Sequence, residues 1–209
     1  MESARIDQRR EAGLRTRTRL LEAALDQLAG RGEEGVNLRE LTDAAGANVA
    51  AVSYHFGSLK SLCDAAIEHA LKRYLDAQQA ELIALGAKPT VAELAAAFAQ
   101  PATRALSVGG RDLDVMRIVA RCGLDPPRAW EQFDADFDAI REAVRRALKA
   151  NLPDIKDREL TLRIRLAAGM LNWLVLAPVG DQFRNVSEKQ IERRLVPVLA
   201  GALRGTDAG

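Results

Sequence analysis

Apolar residues in this chain recur at helical spacing almost from end to end, and strand-like alternation is nearly absent. That pattern restricts the fold to packed helices. Over Thr16–Ala29, Leu20, Ala24 and Leu28 form an i, i+4 row beside Leu21 and Leu25, and Gly30 and Gly32 are expected to end the helix. Asn37 is expected to cap a helix over Leu38–Ala45, with Glu40 completing a capping box and Leu38, Leu41 and Ala45 facing inward. Gly46 stops it. Asn48 then caps a third short helix ending near Phe56, and Ser58 caps a fourth that runs to about Leu85. At 1.5 Å per residue the fourth spans roughly 40 Å, enough to link two domains.

Beyond a break at Gly86–Pro89, Thr90 caps a helix through Ala105 and Ser107–Arg111 reads as a loop. Asp112 is expected to cap a short helix to about Cys122. Asp125-Pro126 signals a new start, followed at helical spacing by Trp130, Phe133, Phe137, Ile140, Val144 and Leu148. A helix from about Asp157 is apolar nearly all round between Leu166 and Ala177, so it must be buried on more than one side, and a second subunit is the natural cover. Ser187 with Gln190 opens a last helix, striped by Ile191, Leu195, Val198, Leu199 and Ala202 and expected to kink near Arg193 because of Pro197. The expected architecture is all-α with about nine helices. The expected domains are residues 1–60, three short helices with an Arg-rich N-terminal arm, and 61–209, a larger helical bundle.

The 209 residues are 48% hydrophobic, which predicts a folded protein, and the net charge of +1 means that any nucleic-acid signal must be local. One local signal exists: Arg5, Arg9, Arg10, Arg15, Arg17 and Arg19 stand against only Asp7 and Glu11. Cys63 and Cys122 lack disulfide or zinc spacing, and His55 and His69 are the only histidines, so neither metal nor cofactor is expected. No G-x-S-x-G, P-loop or G-x-G-x-x-G occurs, and Ser53 and His55 lie too close on one helix to form a catalytic pair. The N-terminus lacks a signal-peptide core, and the longest near-apolar run falls short of the roughly 20 residues needed to span a bilayer, so a cytoplasmic protein without membrane contact is expected. Phe98, Met116, Trp130, Phe133, Phe137, Met170 and Trp173 could line an effector cavity or could simply be core. Arg117, Arg121 and Arg163 could reach in to hold an acid group, so the expected effector is small and hydrophobic or acidic.

Two short helices joined by a tight glycine turn are a helix-turn-helix, whose second helix fits the DNA major groove. Val52 and Phe56 supply its inner face, which leaves Asn48, Ala51, Ser53, Tyr54 and His55 for the outside or the ends. The stretch "TRTRLLEAALDQLAGRGEEGVNLRELTDAAGANVAAVSYHFGSLKSL" resembles the DNA-binding domain of TetR-type transcriptional regulators, over nearly all of residues 16–70. "NVAAVSYHFGS" and "RDLDVMRIVARCGLDPP" resemble a subgroup that includes regulators of fatty-acid metabolism.

The resemblance implies a homodimeric repressor, or an activator of the same fold, that binds a palindromic operator on double-stranded DNA and responds to an effector. It places Asn37 and Arg39 at the DNA backbone, and Asn48, Val49, Ala50, Ala51 and Ser53 on the recognition helix. Tyr54 and His55 fall where an aromatic pair contacts phosphates or base methyls, and Arg17 belongs to an arm that can approach the minor groove. Two positions depart from the pattern. The lysine usual after the position of Ser58 is Leu59 here, with Lys60 one residue later, so either Lys60 reaches the phosphate or the helix N-terminus serves instead. Val49 stands where a polar or basic residue is common. The rivals are a helical small-molecule-binding protein without a DNA role, which as an enzyme would need a constellation not found here, and a module using its helix-turn-helix for protein contact.

Overall fold

The computed structural model describes residues 2–177, 183 and 186–205, and among these there are nine α-helices and no strand. In chain order they are α1 (Glu2–Arg31), α2 (Leu38–Ala44), α3 (Val49–Phe56), α4 (Leu59–Ala84), α5 (Val91–Val108), α6 (Gly110–Leu124), α7 (Asp134–Asn151), α8 (Asp157–Leu176) and α9 (Glu188–Arg204). The chain divides into two compact units, Met1–Ala70 and Leu71–Gly209. The division lies inside α4, later than the expected 60/61 boundary, because Leu62, Cys63, Ala66 and Ile67 are themselves buried parts of the first unit.

In the first unit the expected arm is helical: α1 starts at Glu2 rather than Thr16. Residues 8–19 include five arginines with Gln8, Glu11, Ala12 and Leu14, all good helix formers, and Glu11 pairs with Arg15 at 2.8 Å across one turn. The side chains of Arg5 and Arg9 lie outside the described residues. Gly30 does not break the helix; Gly32, at φ 74°, turns the chain after Arg31. Leu20, Ala24, Leu25 and Leu28 are buried, as their spacing predicts.

The α2 cap forms as expected, with Asn37 Oδ1 accepting the N–H groups of Arg39 and Glu40 at 3.0 and 3.1 Å. The reciprocal half of the box does not form. Glu40 pairs instead with Arg31 at 2.6 Å, and the Asn37 N–H donates to Gln27 Oε1 at 2.8 Å. Leu41, Thr42 and Ala45 are buried, while Leu38 is only half-buried. Gly46, at φ 56°, makes the turn into α3, a conformation that costs a residue with a Cβ.

In the second unit, Thr90 and Glu93 form a capping box at the start of α5. The helix then runs past Ala105 to Val108, so the expected loop shrinks to Gly109, at φ 70°, and α6 begins at once. Asp112 is not a cap; its carboxylate bridges Arg73 of α4 (2.5 Å) and Arg104 of α5 (3.6 Å). Asp125-Pro126 does not open α7 either. Pro127 disfavours helical geometry at Pro126 and is itself extended (ψ 165°), so a 3-10 turn over Arg128–Phe133 intervenes before Asp134.

The core joins Leu94, Phe98 and Leu106 of α5 to Leu148 of α7, Leu160 of α8 and Leu199 of α9. On α9 the inward face is Ile191, Leu199, Ala200 and Leu203; Val198, about 100° round from Leu199, is exposed. Pro197 does not end the helix. Arg163 is buried, paired with Glu159 at 2.8 Å and donating to the Arg204 carbonyl at the end of α9. It therefore ties the end of α9 to α8. Leu199→Ala is expected to lower the free energy of unfolding by about 2–5 kcal/mol, read as a shift in the urea midpoint.

Candidate nucleic-acid interface

The outer face of the helix-turn-helix is built by what α3 does not bury. Val52 is its one buried residue. Val49, Ala50, Ser53 and Tyr54 are exposed, Tyr54 to 85%, and Ala51 and His55 are half-buried. Asn48 Oδ1 accepts the Ala51 N–H at 2.9 Å, so its amide group remains a donor at the start of the helix. Tyr54 and His55 meet edge to face, with centroids 4.9 Å apart. Such a pair presents one exposed phenol and one half-buried imidazole side by side.

Cations surround this face unequally. Arg39 is exposed on the first turn of α2. Arg17 lies over the half-buried Phe56 ring, 4.8 Å from its centroid, so Phe56 is not simply an inner-face residue. Lys60 is held by its own fold, 2.9 Å from Asp64 and 3.5 Å from Glu33. The hydrogen bond from Lys60 to Asp64, with help from Glu33, raises its pKa, so Lys60 stays cationic but must exchange carboxylates for any phosphate it contacts. The Lys60–Asp64 pair is readable from the sequence as an i, i+4 spacing. The hold of Gln27 on Asn37 and of Phe56 on Arg17 is not.

The seven residues expected to line one cavity separate into three environments. Phe98, Met116 and Phe137 are buried. Trp130 (4.2 Å) and Tyr74 (5.9 Å) both stack on Phe137. Around Phe98 and Met116 a cavity of about 20 Å³ remains, bounded by Tyr74 and Asn172 and large enough for one water. Burial pushes the Tyr74 hydroxyl up to about 12. The fully buried Gln78 donates to the Ala97 carbonyl at 2.9 Å.

Phe133 instead borders an open groove of about 600 Å³ between α4 and α7, with Leu75, Leu82 and Ile140. Met170 and Trp173 enter neither space. They face outward from α8 with Leu162 and Leu166, because Ala167, Leu171 and Val175 occupy its inward face. Arg117 Nε donates to the Val175 carbonyl at 3.3 Å.

Among the described residues no group of three His, Cys, Asp or Glu could hold a metal ion. Burial, and to a smaller extent Glu33 and Asp64, pushes the Cys63 thiol up to about 11, so it is not a thiolate at neutral pH. The caps and the exposed face separate cleanly in energy. Asn37→Ala is expected to cost about 1 kcal/mol of stability, read from urea unfolding. Tyr54→Ala should leave the urea midpoint unchanged, since its side chain is almost wholly exposed.

Residues 20–66 match the family model described as bacterial regulatory proteins, tetR family, and residues 96–202 match the tetracyclin repressor-like C-terminal domain. Among solved structures, PfmR, a TetR family transcriptional regulator from Thermus thermophilus, is 20% identical over 91% of this chain and 97% of its own, with a TM-score of 0.63. A TetR-like transcriptional regulator from Rhodococcus sp. RHA1 is 16% identical over 91% and 97%, at a TM-score of 0.67. AibR, in complex with isovaleryl coenzyme A and operator DNA, is 17% identical over 88% and 97%, also at 0.67. No curated protein matches the chain. With a helix-turn-helix at one end and more than half of its length matched by the C-terminal domain, the chain belongs to the TetR family of transcriptional regulators.

Proposed function

We propose that this regulator is a ligand-responsive repressor that binds a palindromic operator as a homodimer in the cytoplasm, without catalytic activity of its own. The observation that carries the reading is the outer face of α3: a capped helix with one buried residue and a fully projecting Tyr54. On this reading α3 enters the major groove, where Asn48, Val49, Ala50, Ala51 and Ser53 meet base edges. Arg17, Asn37, Arg39, Tyr54 and His55 meet the backbone, and Lys60 contributes weakly because of Asp64 and Glu33. Small side chains at Ala50 and Ala51 leave part of the specificity to DNA shape.

Dimerisation is supported by the outward row of α8. Leu162, Leu166, Met170 and Trp173 lie at i, i+4, i+8 and i+11 on one helix face, with Trp173 63% exposed and Val198 of α9 likewise in solvent. Such a row is costly to leave wet, and a second copy is its natural cover. Effector response is supported by AibR, a fold relative in complex with isovaleryl coenzyme A and operator DNA. The effector of this chain binds among the helices of the second unit. It acts by favouring the state that cannot hold DNA, and its coupling to DNA is reciprocal. No helix among the described residues is long and apolar enough to cross a membrane.

Fluorescence anisotropy with the DNA upstream of the chain's own gene tests the reading. A preference of about 10³-fold or more over a scrambled duplex is expected at one fixed salt concentration. Tyr54→Ala should lose that preference and remain dimeric by sedimentation. Trp173→Glu should become monomeric and lose it as well. Equal binding of both duplexes by the wild-type protein would contradict the operator assignment.

A further inference from the structure

Arg17 stands on α1 and Phe56 is the last residue of α3, so their contact fixes a cation of one helix at the end of the other. A guanidinium lying on a ring face keeps the N–H donors at its edge available. Arg17 is exposed, and among the described residues it has no carboxylate partner. Other cations of the first unit are held by carboxylates: Arg15 by Glu11 at 2.8 Å, Arg31 by Glu40 at 2.6 Å and Lys60 by Asp64 at 2.9 Å. The same side of α1 runs along the end of α3, since a Cβ on Gly13 would lie 3.9 Å from the His55 ring.

We infer that Arg17 and Phe56 form a phosphate clamp: Arg17 offers its planar fork to one backbone phosphate of duplex DNA, and Phe56 is the positioning residue that holds the fork in place. A phosphate is the ligand because a planar fork matches two oxygens of one phosphate, and because the guanidinium lies on the ring of the last residue of α3, beyond the first turn that carries Val49, Ala50 and Ala51. The ring restricts the long side chain before DNA arrives, so less conformational freedom is lost on binding. The inference rests on the operator-binding reading and adds to it a residue whose side chain need never touch DNA.

The test is operator affinity across a salt series for wild type, Arg17→Gln, Arg17→Lys, Phe56→Leu and the double variant Arg17→Gln/Phe56→Leu. Arg17→Gln should weaken native and scrambled duplexes alike and reduce the salt slope by about 0.9 for each phosphate that Arg17 no longer neutralises. Arg17→Lys should keep the slope yet bind about five- to tenfold more weakly, because the fork is gone. Phe56→Leu should weaken binding in the wild-type background and add nothing in the Arg17→Gln background. Phe56→Tyr, which keeps the ring, should bind as wild type; that variant and Arg17→Lys decide the matter if Phe56→Leu loses its helical circular dichroism. Additive losses in the double variant, full replacement by lysine, or an unchanged slope in Arg17→Gln would each overturn the clamp. A wild-type protein without preference for the native duplex would overturn the operator reading first, and the clamp with it.

Discussion

A helix of eight residues does not persist in water by itself. α3 is such a helix, and it buries only Val52. Its existence depends on being held at both ends and packed against α1 and α2. Asn48 supplies the first hold, by accepting the Ala51 N–H. Gly57 supplies the second, since its φ of 81° lets the chain leave the helix where a residue with a Cβ would be strained. Because the caps and Val52 carry the structural role, Ala50, Ser53 and Tyr54 are left with none. That freedom is what allows one face of a short helix to serve recognition. α2 is held in the same manner, through Asn37 and its contact with Gln27 of α1, so the two short helices share α1 as their common support.

The second unit solves a different problem. Among the described residues Tyr74 and Trp130 both stack on Phe137, and the space near Phe98 and Met116 is about 20 Å³. A molecule larger than water can enter there only by displacing side chains, which makes entry a change of packing and not a simple filling of space. Tyr74 and Gln78, which border or anchor this interior, both belong to α4. The first turns of α4 are part of the DNA-binding unit. α4 is thus one continuous helix that contributes residues to both units.

Much of this is legible in the sequence where the physics is local. Capping by Asn37, Asn48, Ser58 and Thr90 depends on residues two or three positions away, and each of these caps forms. The apolar row of α1 depends on i, i+4 spacing and is buried accordingly. What is not legible depends on partners distant in the chain. Glu40 has the spacing of a capping box, but Arg31 competes for it. Asp112 has the character of a cap, but Arg73 and Arg104 claim its carboxylate. Met170 and Trp173 have the same apolar character as Met116, and only the packing of α8 shows that they face outward. Phe56 reads as core by periodicity, and its second role appears only once α1 extends past it with Arg17 in place. The helical N-terminus escapes a reading based on apolar spacing for a compositional reason: an Arg-rich stretch with almost no apolar residues looks like an arm, although its residues are strong helix formers.

The central claim is that two copies of α3 read one palindromic site. Hydroxyl-radical footprinting of the protein on the DNA upstream of its gene tests it most directly. The account predicts two protected patches related by a dyad and centred about one helical turn apart, at roughly 10–10.5 base pairs or a multiple of that spacing. A single unsymmetrical patch, or uniform protection without a dyad, would contradict it.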